Sequence, residues 1–80
     1  MLQLNTSAVS EACDKVSRKV TTICGTHHGS AWLFDQCMRA FDSKALPAQA
    51  ITFSVFFNSP VMLDGEATIY RDGRVELRTV

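Results

Sequence analysis

Hydrophobic periodicity changes once along this chain, at Pro47, and no other feature limits the fold as much. Before Pro47, apolar residues recur at steps of three and four; after it they alternate with polar ones. A pattern with the helical period does not hold as a strand, nor the reverse. The chain therefore divides into a helical first half and a β second half.

Val9, Ala12, Cys13, Val16, Val20, Ile23 and Cys24 form one apolar stripe, which predicts a first helix. Glu11, Asp14, Lys15 and Arg18 fill its opposite face, with Glu11–Lys15 and Asp14–Arg18 at the favourable i,i+4 spacing. Asn5 is its expected N-cap, Leu4 and Val9 a hydrophobic staple, and Gly25 the residue that ends it. The short connection Gly25-Thr26-His27-His28-Gly29 leads to Ser30, a second expected N-cap. Helix two runs from there to about Ala45, where Pro47 restricts Leu46. Leu33, Phe34, Cys37, Met38, Phe41 and Ala45 share one face. Asp35, Gln36, Arg39, Asp42 and Ser43 share the other, with Trp32 beside them. So short a connection predicts an antiparallel helical hairpin.

Ile51, Phe53, Val55 and Phe57 alternate with Thr52, Ser54, Phe56 and Asn58, as in a half-buried strand. Asn58-Ser59-Pro60, Asp64-Gly65 and Asp72-Gly73 read as turns. The last of them allows two registers. A two-residue loop at Asp72-Gly73 pairs Ile69 with Glu76 and Ala67 with Arg78, mixing core with charge. A three-residue loop, Arg71-Asp72-Gly73 with Gly73 left-handed, pairs Ile69 with Val75 and Ala67 with Leu77. It also sets Tyr70 beside Arg74, Thr68 beside Glu76 and Glu66 beside Arg78 on the outer face. The second register is the expected one.

The expected architecture is α+β, in the order α-α-β-β-β. A two-helix hairpin packs on one face of a three-stranded antiparallel sheet, with Met1–Leu4 available as a short edge strand. Its 80 residues form one domain, 1–80, without internal repeats or linkers.

Charge and cysteine content narrow the function classes. Eight Lys plus Arg offset eight Asp plus Glu, a balance that argues against a protein coating duplex DNA and against an acidic mimic of one. Three cysteines without framework spacing suit a reducing cytoplasm. No secretory leader pattern follows Met1, and the apolar runs Ile51–Phe57 and Val61–Leu63 are too short to span a bilayer.

Chemistry is sparse. Cys24-x-x-His27-His28 with Cys37 offers zinc-type donors in no common zinc spacing, and Cys13, Cys24 and Cys37 sit on core stripes, so no metal or other cofactor is expected. A Cys–His nucleophile would lack an orienting group and an oxyanion site. The segment from Gly25 to Ser30 lacks the lysine and the preceding strand of a nucleotide-triphosphate loop. Carboxylates are scattered, with no acid/base pair.

Two surfaces suit recognition better. Trp32, Gln36 and Arg39 line up on helix two, where Trp and Arg are typical binding hot spots; the plainer alternative makes Trp32 a rim of the core. Phe56 and Tyr70 point outward from the sheet, near Arg74 and Arg78. The expectation is a non-enzymatic protein-binding module, an inhibitor or adaptor that occupies a surface of a larger complex. Phage and mobile-element inhibitors, anti-CRISPR proteins among them, are comparable in size only. Self-association through the sheet is compatible with this. The alternatives are single-stranded nucleic-acid binding on the outer sheet face and a small Cys/His metal protein or hydrolase.

Overall fold

The computed structural model describes residues 3–23, 29–57 and 63–79. Its elements are α1 (Thr6–Lys19), β1 (Val20–Ile23), α2 (Ser30–Phe41), β2 (Ala50–Phe57), β3 (Leu63–Tyr70) and β4 (Val75–Thr79). The α+β class is as expected, with both helices against one face of an antiparallel meander, β2-β3-β4. A further strand, β1, extends that meander, so the described sheet runs β1-β2-β3-β4 with every neighbouring pair antiparallel.

α1 starts as its sequence dictates: Asn5 is the N-cap, and its side-chain oxygen accepts from the Ala8 N–H at 3.1 Å. Its end differs. Val20 and Ile23 belong to β1 rather than to the helix, because Val20-Thr21-Thr22-Ile23 is an unbroken β-branched run. Such residues lose side-chain freedom in a helix and fit a pleated surface. Val20 pairs with Phe57 and Ile23 with Val55, with a shift of register between Val20 and Thr22. The helices still pack on each other, but a strand lies between them in the chain, so they are not joined as a simple hairpin. Cys24 and the Gly25 cap lie outside the described residues, as do the Asn58-Ser59-Pro60 turn and Met1 with Leu2. Gln3 and Leu4 are not in a strand.

α2 is capped by Gly29 instead of Ser30, its first bond running from the Leu33 N–H to the Gly29 carbonyl. It stops at Phe41, short of Ala45. Asp42 closes the last turn onto Met38, and the Ser43 hydroxyl accepts from the Leu46 N–H. Ala45 is exposed in the loop beyond.

The three-residue loop is present. Gly73 has φ of 95°, its N–H donates to the Tyr70 carbonyl, and the Tyr70 N–H donates to the Arg74 carbonyl. Ile69 pairs with Val75, Thr68 with Glu76, Ala67 with Leu77 and Glu66 with Arg78, as the side chains require.

Asp64-Gly65, expected as a turn, lies inside β3, where Gly65 pairs with Val55. A Cβ there would sit 2.1 Å from the Phe57 ring and 2.5 Å from the Arg78 carbonyl oxygen. Glycine serves a close approach of neighbouring strands at this position, not a reversal of the chain.

Val9, Ala12, Cys13 and Val16 of α1 meet Leu33, Cys37 and Phe41 of α2 above Phe53, Val55, Ala67 and Ile69 of the sheet. Cys13 and Cys37 are fully buried, with sulfur atoms 3.9 Å apart across the helix pair. Their hydrogen bond, with burial adding to it, pushes the Cys37 thiol up, so it stays protonated. Both act as small apolar core residues, as their stripe positions imply.

Candidate interaction surfaces

β2 and β3 carry opposite chemistry on their two faces. Phe53, Val55, Ala67 and Ile69 turn in toward the helices, while Thr52, Ser54, Glu66, Thr68 and Tyr70 turn away from them. On the outer face the Arg74 guanidinium lies 4.4 Å from the centre of the Tyr70 ring, within cation–π range. The Tyr70 hydroxyl donates to Glu76 at 2.8 Å, and Arg74 also pairs with Asp72 at 3.2 Å. Arg78 pairs with Glu66 across the β3–β4 ladder. The Thr52 and Thr68 hydroxyls, opposed on β2 and β3, bond to each other at 2.8 Å. This face is a preset polar network centred on one aromatic ring.

Phe56 lies on the same face but not in the same place. It pairs with Asp64, whereas Tyr70 pairs with Ala50 at the other end of the ladder. At ~3.3 Å per residue the two aromatics stand roughly 20 Å apart. Tyr70, Arg74, Glu76, Arg78 and Glu66 form one neighbourhood, and half-buried Phe56 belongs to another.

Trp32 is half-buried against the core, its ring centroid 6.0 Å from that of Phe53 at a tilt of 55°. Phe53 faces inward, so the Trp32 cluster and the Tyr70 cluster occupy opposite sides of the sheet. Gln36 is partly buried, and Arg39 is exposed on α2 and pairs with Asp35 at 2.9 Å. The position of Trp32 fits a rim of the core.

Arg71, which the sequence marks only as a loop residue, has a larger part. One guanidinium nitrogen, Nη1, donates to the Phe41 carbonyl at 3.1 Å and to the Ala48 carbonyl at 2.9 Å. The Arg71 backbone donates to Gln49 and accepts from Asn5. Phe41 ends α2, so Arg71 satisfies one of the carbonyls that a helix end leaves open. It fixes the loop that carries Arg74.

The hydrogen bond to Glu76 is the main reason that the Tyr70 hydroxyl titrates above its ordinary range, while Arg74 acts in the other direction. A folded pKa above the unfolded one means the bond contributes fully below about pH 10 and is lost as pH rises through the higher folded value. Tyr70 is the sole tyrosine, so ultraviolet titration reads it directly. The expected midpoint lies above about 10 and returns toward it in Glu76→Gln; a wild-type midpoint at or below that value contradicts the bond.

His27, His28 and Cys24 lie outside the described residues; among the described ones, no three His, Cys, Asp or Glu side chains gather as metal donors. No described helix is long and apolar enough to cross a membrane. Comparison with protein-family models, curated proteins and solved structures finds no match.

Proposed function

We propose that the protein is a non-enzymatic binding module that acts in the cytoplasm, as an inhibitor or adaptor occupying the surface of a larger protein. The outer sheet face is its contact surface. The observation that carries this reading is the Tyr70–Arg74–Glu76 cluster, with Arg78–Glu66 beside it, on a sheet face turned away from both helices. Tyr and Arg dominate binding hot spots. Side chains already held by one another lose little further freedom on binding, which favours affinity. Glu66, Asp72 and Glu76 among the arginines weaken attraction to phosphates, and Arg74 covers one face of the Tyr70 ring. Those two facts favour a protein over single-stranded nucleic acid.

The test immobilises the wild type and the Tyr70→Ala/Arg78→Ala variant, passes native-host extract over both, and quantifies the retained proteins. Recovery of a specific partner should fall at least tenfold with the variant, whose circular dichroism stays unchanged. Equal recovery by both overturns the assignment. A single-strand oligonucleotide shift at low salt that the variant loses transfers this face to nucleic acid.

A further inference from the structure

β4 ends the described sheet, and no described strand pairs with its far edge. The bond from the Tyr70 N–H to the Arg74 carbonyl sets the alternation of the ladder. Thr68/Glu76 and Glu66/Arg78 are the next bonded pairs, so Val75, Leu77 and Thr79 turn their backbone N–H and C=O toward the open edge. Beside that edge is a groove of about 530 Å³, walled by Lys15 and Lys19 of α1 and floored by the 73–77 segment. Its charges are Lys15, Lys19, Arg74 and Glu76; Arg74 already pairs with Asp72 and Glu76 accepts from Tyr70, which leaves the two lysines to set its sign. Among the described residues neither lysine makes an ion pair, although Glu11 stands four positions before Lys15. Val75 and Leu77 are half-buried and supply apolar surface.

We propose that this groove takes an extended acidic segment of a partner protein, which joins β4 as an additional strand. Its backbone bonds the edge-facing groups of Val75 and Leu77, its apolar side chains cover those two residues, and its carboxylates meet Lys15 and Lys19. Lysines beside an open edge normally guard it against unwanted pairing. An acidic strand is the kind that such a guard attracts. A second copy of the chain fits less well. Antiparallel β4–β4 pairing matches Glu76 with Arg78, but it brings both lysine pairs into one shared groove, where like charges repel. The groove adjoins the Tyr70 surface, because Arg74 and Glu76 border both, whereas Lys15 and Lys19 belong to the groove alone.

The probes are fluorescein-labelled octapeptides: alternating Glu and Val, alternating Lys and Val, and the Glu/Val peptide N-methylated along one edge. Anisotropy gives their affinities, and amide spectra of the isotope-labelled protein locate binding. The Glu/Val peptide should bind and shift the Val75 and Leu77 amides. Its affinity should fall at least tenfold with Lys15→Gln/Lys19→Gln, and as much with the N-methylated peptide, which cannot bond the edge. Equal binding of the Lys/Val peptide, or unshifted Val75 and Leu77, overturns the proposal. Concentration-dependent doubling of mass with β4 shifts in the free protein also overturns it, and assigns the edge to a second copy.

Discussion

Phe41→Ala should cost about 3–5 kcal/mol, the largest loss available to a single core truncation here. Phe41 heads the fully buried side chains by volume, with 1% of its surface exposed, and lies where α2 ends over the sheet. Truncation removes its transfer free energy and leaves a cavity walled by α1, α2 and the inner sheet face. The walls cannot close easily, because Arg71 holds the Phe41 carbonyl in place. A chain of 80 residues buries only about 60% of its unfolded surface, so its stability belongs near the lower end of the usual ~5–15 kcal/mol. The variant should then populate the unfolded state heavily in urea melts followed by circular dichroism. Phe41→Leu, which fills most of the space, should lose less than half as much. A truncation that costs under about 1 kcal/mol would show that the helices do not close on the sheet through Phe41.

Gly73→Ala should cost about 2–5 kcal/mol from two separable sources. At φ of 95° an alanine is strained by about 1–2 kcal/mol whatever surrounds it. Its Cβ would also stand 2.3 Å from the Ala8 Cβ and 2.9 Å from the Ala8 carbonyl carbon, so the hairpin loop must retreat from the first turns of α1. Overpacking of this kind costs ~1–3 kcal/mol. A double-mutant cycle separates the sources: in an Ala8→Gly background the steric part should shrink while the backbone part stays. Strictly additive losses would mean that the loop and α1 do not touch. A melting temperature unchanged in Gly73→Ala would remove both arguments.

What the sequence reveals follows the range of the forces involved. The β3–β4 register was legible because a one-residue slip exchanges Ile69 and Ala67 partners from apolar to charged, a cost visible in the residues alone. The Asn5 cap and the buried places of Cys13 and Cys37 were legible for the same reason. β1 was not, since Val20 and Ile23 satisfy a helical stripe as well as a strand, and only β2 decides between them. Gly65 reads as a turn beside Asp64 because the ring that needs its space belongs to Phe57, distant in sequence. Trp32 falls near the charged face by helical phase, yet its long side chain reaches Phe53. Alternation alone sets Phe56 and Tyr70 on one face, but their separation depends on the β2–β3 register, which no local pattern sets. Arg71 carries no sequence signal for its role, because both of its side-chain acceptors are carbonyls, which every residue has.

The Arg71 clasp also orders how the molecule comes apart. It ties the start of α1, the end of α2 and the segment before β2 to one end of the sheet, through Asn5, Phe41, Ala48 and Gln49. At the opposite end of the same ladder, Leu63 is 44% exposed and pairs with Phe57. Amide protons along β3 should therefore exchange with solvent in a gradient, fastest near Leu63 and slowest near Tyr70. On this expectation β3 opens first at its Leu63 end, and the end that holds is the one that presents Tyr70 and Arg74.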